Sequence, residues 1–286
     1  MSIPTRRLLR GRLLESATVL RATRDALSIF GVIFLVIALR TGGFPGYDFY
    51  AYWSVDPSDP YAVGGSFGNF HYPPPMVWLA GPLKLLPWPL AYWVWFGILF
   101  AVLVWLARDW ALAWLAFPPV WSELYHGNIH LLLAGALVLS MRWPAASGFL
   151  ALSKVTTGVT LLWWLVRREW RAAAFALGVP AAIGALSFAL TPDLWFTWLS
   201  HIASESNDAA TILVAVPLAL RLPIAALLVV VAARTDRPWI LAPAVVLSLP
   251  LLWVHGLAVL VAITPLVRMS RVSASRVRNS PQPEPA

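Results

Sequence analysis

WPLAYWVWFGILFAVLVWLAR, residues 88–108, decides the fold. From Trp88 to Ala107 the stretch carries no charged side chain, and Arg108 closes it. A helix that crosses a bilayer needs about 20 apolar residues, or some 30 Å of rise. The run meets that length, ends on a cation and starts on aromatic residues suited to the headgroup layer, so it reads as a membrane span.

The pattern repeats on both sides. Apolar runs fall near 26–39, 74–87, 89–107, 110–122, 128–141, 144–154, 157–167, 170–190, 211–233, 239–251 and 255–268. Across the 286 residues, 59% are hydrophobic and 12% charged. A soluble domain carries about 25% charged residues, so this surface is not made for water. The expected fold is all-α, a polytopic transmembrane helical bundle of about 9–11 membrane segments, some broken or re-entrant. The 17 tryptophans fit interfacial belts. Absence of cysteine excludes disulfides, thiolate metal sites and cysteine nucleophiles.

A net charge of +8 raises the question of nucleic acid. The cations sit between apolar runs and form no patch interleaved with aromatics, so no nucleic-acid partner is expected. They orient the chain instead. Arg6, Arg7, Arg10, Arg12, Arg21 and Arg24 mark 1–25 as a basic cytoplasmic segment, and 269–286 reads as a basic, Pro-rich, disordered cytoplasmic tail. Arg108, Arg142, Arg167, Arg168, Arg171, Arg234 and Arg237 complete one cytoplasmic set. The spanning domain is then 26–268, and 40–75 and 191–210 are outer loops, with 123–128 and the neighbourhood of 253–256 also outside. A cleaved leader is not expected, because no A-x-A-like site follows the first run.

Two places depart from simple crossings. Residues 74–87, interrupted by Pro82 and Pro87, suit a half-span or interfacial helix. Residues 144–154 and 157–167 are each short, so they suit a broken or re-entrant pair around Lys154. Irregular backbone at membrane depth survives only against protein or a wet cavity, which points to a cavity there. No internal repeat of the kind found in many secondary transporters is visible.

The polar residues gather in the outer loops. In GYDFYAYW (46–53), Asp48 follows the first span closely among aromatics. It reads equally as a partly desolvated general base or as a helix N-cap. Asp56 and Asp59, in DPSDPY, suit turns before Pro57 and Pro60, with a two-carboxylate metal site as the weaker alternative. YHGNIHLLL (125–133) holds His126, Asn128 and His130; an i,i+4 histidine pair can bind zinc, but no third ligand has diagnostic spacing, and capping at the headgroup layer is the simpler reading. His255, beyond Pro250, is an ionisable residue near membrane depth, a functional candidate or a wet interfacial histidine. Lys154 and Arg221 interrupt apolar stretches; a lipid phosphate is a natural partner for both, and snorkelling is the alternative for Arg221. The Trp-rich stretch in 191–210 suits an interfacial helix that covers a cleft.

Taken in order, these motifs resemble the polyprenol-phosphate-dependent membrane glycosyltransferases of family 87, which have the GT-C fold. GYDFYAYW supplies the early-loop Asp, and DPY (59–61) and YPPP (72–75) follow. HGNIHLLL is similar to the family's GQ-x-N-x-LL segment. LALSKVTTGV is similar to its K-x-x-P segment, with Thr157 where proline stands, and LSLPLLWVHG to its S-P-x-x-W-x-H segment. The resemblance implies inverting transfer of a sugar, mannose by family frequency, from a polyprenyl-phosphate-linked donor to a lipid or glycan acceptor at the outer face of the cell membrane. It implies Asp48 as general base and His255 near the donor phosphate or acceptor; Lys154, Asn128, His126 and Tyr72, which lie on its motifs, and Arg221, by its charge, are the expected substrate-binding residues. Membrane lipids are the other partners. No cofactor is indicated, a divalent cation being the open alternative. A lipid or solute transporter and a non-catalytic relative that binds polyprenyl phosphate are the rival readings.

Overall fold

A computed structural model describes residues 3–62, 68–205 and 216–278, with side chains for 16–62, 68–204 and 216–271. All regular structure among the described residues is helical. In chain order the α-helices are α1 (Ile3–Thr41), α2 (Tyr47–Ser54), α3 (Pro75–Ala80), α4 (Trp88–Ala107), α5 (Ala111–Trp114), α6 (Pro118–His126), α7 (His130–Ser140), α8 (Ser147–Ser153), α9 (Leu162–Val166), α10 (Trp170–Leu190), α11 (Pro192–Glu205), α12 (Leu218–Thr235), α13 (Leu241–Ser248) and α14 (Ile263–Arg278).

Five helical stretches among the described residues are long and apolar enough to cross a membrane: Ser16–Thr41, Trp88–Trp114, Trp170–Leu190, Leu218–Thr235 and Val254–Arg271. Four shorter apolar helical stretches stand beside them, at 130–140, 144–153, 155–166 and 238–248. Their outward faces are apolar: Phe30, Phe34 and Ile37 on α1, Phe175 and Leu186 on α10, Leu220 and Leu227 on α12 are exposed. Such faces would be costly against water at this density and suit lipid, so the chain is a multi-pass membrane protein.

Several boundaries differ from those expected. The basic N-terminal segment is not separate from the first span, because α1 runs unbroken from Ile3 to Thr41; Pro4 falls in its first turn, where a missing N–H costs nothing. Residues 269–278 are helical, as the end of α14, and not the start of a disordered tail. The PQPEPA end, and residues 63–67 and 206–210 of the two expected outer loops, lie outside the described residues. Residues 211–215 of the run expected from 211 also lie outside the described residues; α12 begins at Leu218, after Pro217 in extended conformation.

Arg108, with φ 53°, ends α4, and by α6 the chain has turned back alongside it. Trp95 Nε1 and Tyr92 OH, near the start of α4, accordingly donate to the carbonyls of Gly127 (2.8 Å) and Tyr125 (3.3 Å), at the end of α6. Residues 74–87 form no crossing: α3 is six residues long and gives way to a 3-10 turn, Gly81–Leu85. As anticipated, 144–166 is a broken pair. Its helices part at Lys154 (φ −134°, ψ 92°), and threonines satisfy the exposed backbone there. Thr157 Oγ1 donates to the carbonyls of Leu150 and Lys154 (each 2.8 Å), and Thr156 Oγ1 to that of Ser248 (2.5 Å).

The bundle therefore has two unlike ends. One collects Arg142 on the ring of Trp143, and Arg167 paired with Glu169 and Asp236. The other collects α2, α3, α11 and the breaks at Gly127, Lys154 and Pro250. The second end holds the polar cluster.

Candidate functional site

Asp48 is the second residue of α2, where its charge suits the helix N-terminus. Its Oδ2 accepts a hydrogen bond from Asn128 Nδ2 at 2.9 Å and lies 3.3 Å from His255 Nε2. Asn128 Nδ2 is also 3.4 Å from His255 Nε2. Three residues separated by 80 and 127 positions in the chain thus meet at one carboxylate oxygen. The Asp48 side chain keeps 22% of its surface accessible and His255 only 9%, so the carboxylate is the part that an incoming molecule can reach.

A second ring of contacts fixes these groups. Asn128 Oδ1 accepts from the Ile129 N–H at 2.8 Å, and the hydroxyls of Tyr52 and Tyr72 lie 3.3 and 3.5 Å from it. The two hydroxyls are 2.6 Å apart. Burial pushes both phenols well above their ordinary pKa, so they act as neutral hydrogen-bonding groups. With Oδ1 occupied, the Asn128 amide has to present its nitrogen to Asp48. Lys154, at the break between α8 and the following 3-10 turn, places Nζ 5.4 Å from the centre of the Tyr72 ring. That cation–aromatic contact brings a positive charge to the same pocket without neutralising it.

The link between α6 and α7 makes the arrangement possible. Gly127 has φ +71°, and an added methyl would lie 2.7 Å from Phe49 Cβ on α2. Gly127→Ala is expected to destabilise the protein by about 1–2 kcal/mol from the backbone strain alone, measured as the unfolding midpoint in detergent, and to displace Asn128 from Asp48.

The same break corrects one reading. His126 and His130 do not share a helix face, because Gly127 ends α6 and α7 begins only at His130. His126 donates from Nδ1 to the Ser122 carbonyl at 2.8 Å, and its ring lies tilted 5.4 Å from that of His255. His130 turns inward to Glu123. That carboxylate, expected in an outer loop, is wholly buried within α6. Its Oε1 accepts from the N–H groups of His130 (2.5 Å) and Leu131 (3.2 Å), and its Oε2 is 2.9 Å from His130 Nδ1. Glu123 does not stand out in the sequence; the available signal is one acidic residue beside two histidines, next to an apolar run.

Arg221 does not join the cluster. The residue is 2% exposed, and its guanidinium donates to four carbonyls: Val216 (3.0 Å), Leu247 (2.8 Å), Leu249 (2.8 Å) and Pro250 (3.0 Å). The guanidinium does not snorkel, because the unravelled end of α13 supplies acceptors that hold it inside. Asp56 and Asp59 form turns. Asp56 Oδ1 accepts from both the N–H (2.9 Å) and Oγ (2.7 Å) of Ser58, which lowers its pKa, and the pair is exposed. Among the described residues, one group of three histidine and carboxylate side chains lies close enough to share an ion, and it is Glu123, His130 and His255.

Helix α11 lies against the first loop. Trp198 Nε1 donates to the His71 carbonyl at 3.1 Å, and the stacked rings of His71 and His201 approach to 2.9 Å between Nδ1 and Nε2. The stretch expected as an interfacial helix is thus helical, as α11, and touches His71, the residue before Tyr72.

Comparison with known proteins adds one match. The family model of glycosyltransferase family 87 matches residues 70–278, well over half of the chain and a stretch that includes Asn128, Lys154, Arg221 and His255 but begins after Asp48. No curated protein and no solved structure matches.

Proposed function

Because the chain belongs to glycosyltransferase family 87, we propose that it transfers a hexosyl residue, mannose as the leading candidate, from a polyprenyl-phosphate donor to a lipid or glycan hydroxyl. The supporting observation is the accessible Asp48 carboxylate held between Asn128 and His255, with the Lys154 cation on the neighbouring Tyr72 ring. A glycosyltransferase needs a base on the acceptor and positive charge near the leaving phosphate. Asp48 takes the acceptor's hydroxyl proton while the oxygen attacks the anomeric carbon from the face opposite the phosphate. The carbon–oxygen bond to phosphate breaks, and polyprenyl phosphate leaves with the electron pair, so configuration inverts. Lys154 offsets charge gathering on the phosphate, and His255 hydrogen-bonds at the same centre. Arginines collect at the opposite end of the bundle, which supports an outer-face site with both termini in the cytoplasm.

The test incubates the purified protein with a panel of polyprenyl-phosphate sugars and acceptor lipids, with mass spectrometry of the released polyprenyl phosphate. Release that requires the acceptor, and product of inverted anomeric configuration, are expected. Solute flux in reconstituted vesicles with no sugar transfer from any donor would overturn the reading.

A further inference from the structure

Helix α7 starts without a cap of its own. Its N-cap residue is Ile129, whose side chain has no acceptor, and Asn128 spends Oδ1 on the Ile129 N–H. The N–H groups of His130 and Leu131, in the first turn, have no partner within the helix. Ile129, His130 and Leu131 are buried, so water does not serve them.

Glu123 supplies what is missing. Its Oε1 accepts from both N–H groups, at 2.5 and 3.2 Å, and its Oε2 lies 2.9 Å from His130 Nδ1. The backbone carbonyl of the same residue accepts from the Gly127 N–H at 2.8 Å and closes α6. One residue thus ends α6 with its main chain and begins α7 with its side chain, and the link 127–129 lies between. The proton shared by Oε2 and Nδ1 does not alter this, because on either atom it leaves Oε1 free to accept.

Asn128 is the middle of that link, and its Nδ2 donates to Asp48 Oδ2 at 2.9 Å. Trp95 Nε1 fixes where the link begins, through the Gly127 carbonyl. The cap on α7 sets the direction in which it leaves.

We propose that Glu123 is a positioning residue for sugar transfer: by capping α7 from α6 it holds the link that presents Asn128 to Asp48. The proposal rests on the reading of Asp48 as the base and adds to it a wholly buried group that meets no substrate.

Substitution separates the cap from the charge. Glu123→Gln keeps an oxygen for both N–H groups and an amide N–H for His130 Nδ1, so kcat should stay within about threefold of the native value. Glu123→Ala leaves both N–H groups without an acceptor. It should lower kcat per folded chain by about 10–10²-fold with donor KM within about twofold, the loss expected when a group near the base moves by about 1 Å. Asn128→Ala should cost a comparable factor, and adding Glu123→Ala to it less than about threefold more, because the cap acts through Asn128. Losses that multiply in the double variant, or a Glu123→Gln chain as slow as Glu123→Ala, overturn the proposal. Should Glu123→Ala not fold, or no donor be turned over, hydrogen exchange of the native chain and of Glu123→Gln decides, read residue by residue by fragmentation mass spectrometry. The amides of His130 and Leu131 should exchange as slowly as those inside α7, and fast exchange at these two overturns the cap. Absence of turnover with slow exchange removes the transfer reading and leaves the cap standing.

Discussion

Asp48→Asn is expected to lower the turnover of sugar transfer by about 10²–10⁴-fold, the range that a positioned general base contributes. Asparagine keeps the size of the side chain and has an oxygen to accept from Asn128 Nδ2, so folding should be nearly unchanged. Asp48 is partly open, at the start of an eight-residue helix, and supports no core contact that asparagine would lose. The loss should fall on kcat more than on KM for the donor, because the proton moves only in the reaction. Asp48→Glu separates charge from position. Its carboxylate remains, displaced by about one methylene, and a misplacement of about 1 Å can cost 10²-fold. Released polyprenyl phosphate gives the rate, and gel filtration with circular dichroism reports folding. Full activity of Asp48→Asn would remove the base and with it the mechanism.

Much of this centre is legible in the sequence because charged and polar groups are so sparse. With 12% charged residues, any ionisable or amide side chain off the arginine flanks draws notice. Asp48, Asn128, Lys154 and His255 stand out on that ground, and the structure brings the first, second and fourth to one oxygen. What the sequence leaves hidden depends on backbone breaks. The direction in which His130 points follows from Gly127 in the left-handed region, which ends one helix and starts another on a new axis. Periodicity treats 126 and 130 as one face and so misses the turn toward Glu123. Helix limits shift for a related reason: α1 absorbs the basic segment because nothing in it stops a helix, while α12 starts directly after Pro217, which has no N–H to donate. Hydropathy reports the solvent around a segment, and backbone chemistry decides where the helix runs.

Arg221 carries that argument to an energetic consequence. Its cation sits where an apolar span should be, and the sequence alone invites a phosphate as partner. The structure fills all four observed bonds with carbonyls instead, three of them at 247–250, where α13 ends and Pro250 prevents its continuation. Carbonyls freed by that break have no water to turn to, so the guanidinium fork takes the place of the missing helix donors. Arg221→Met is therefore expected to destabilise the protein by about 2–4 kcal/mol, taking hydrogen bonds to a charged donor together with the smaller values seen inside membranes. Arg221→Lys should recover only part of this, because an ammonium cannot reach carbonyls spread from Val216 to Pro250 with a planar fork. The segment that Arg221 holds leads within five residues to His255, so transfer should fall with stability. Unfolding midpoints in denaturant, alongside KM for the donor, distinguish the two roles. A raised KM in Arg221→Met with an unchanged midpoint would mark a phosphate ligand; a lowered midpoint with donor KM unchanged in the folded fraction marks the clamp.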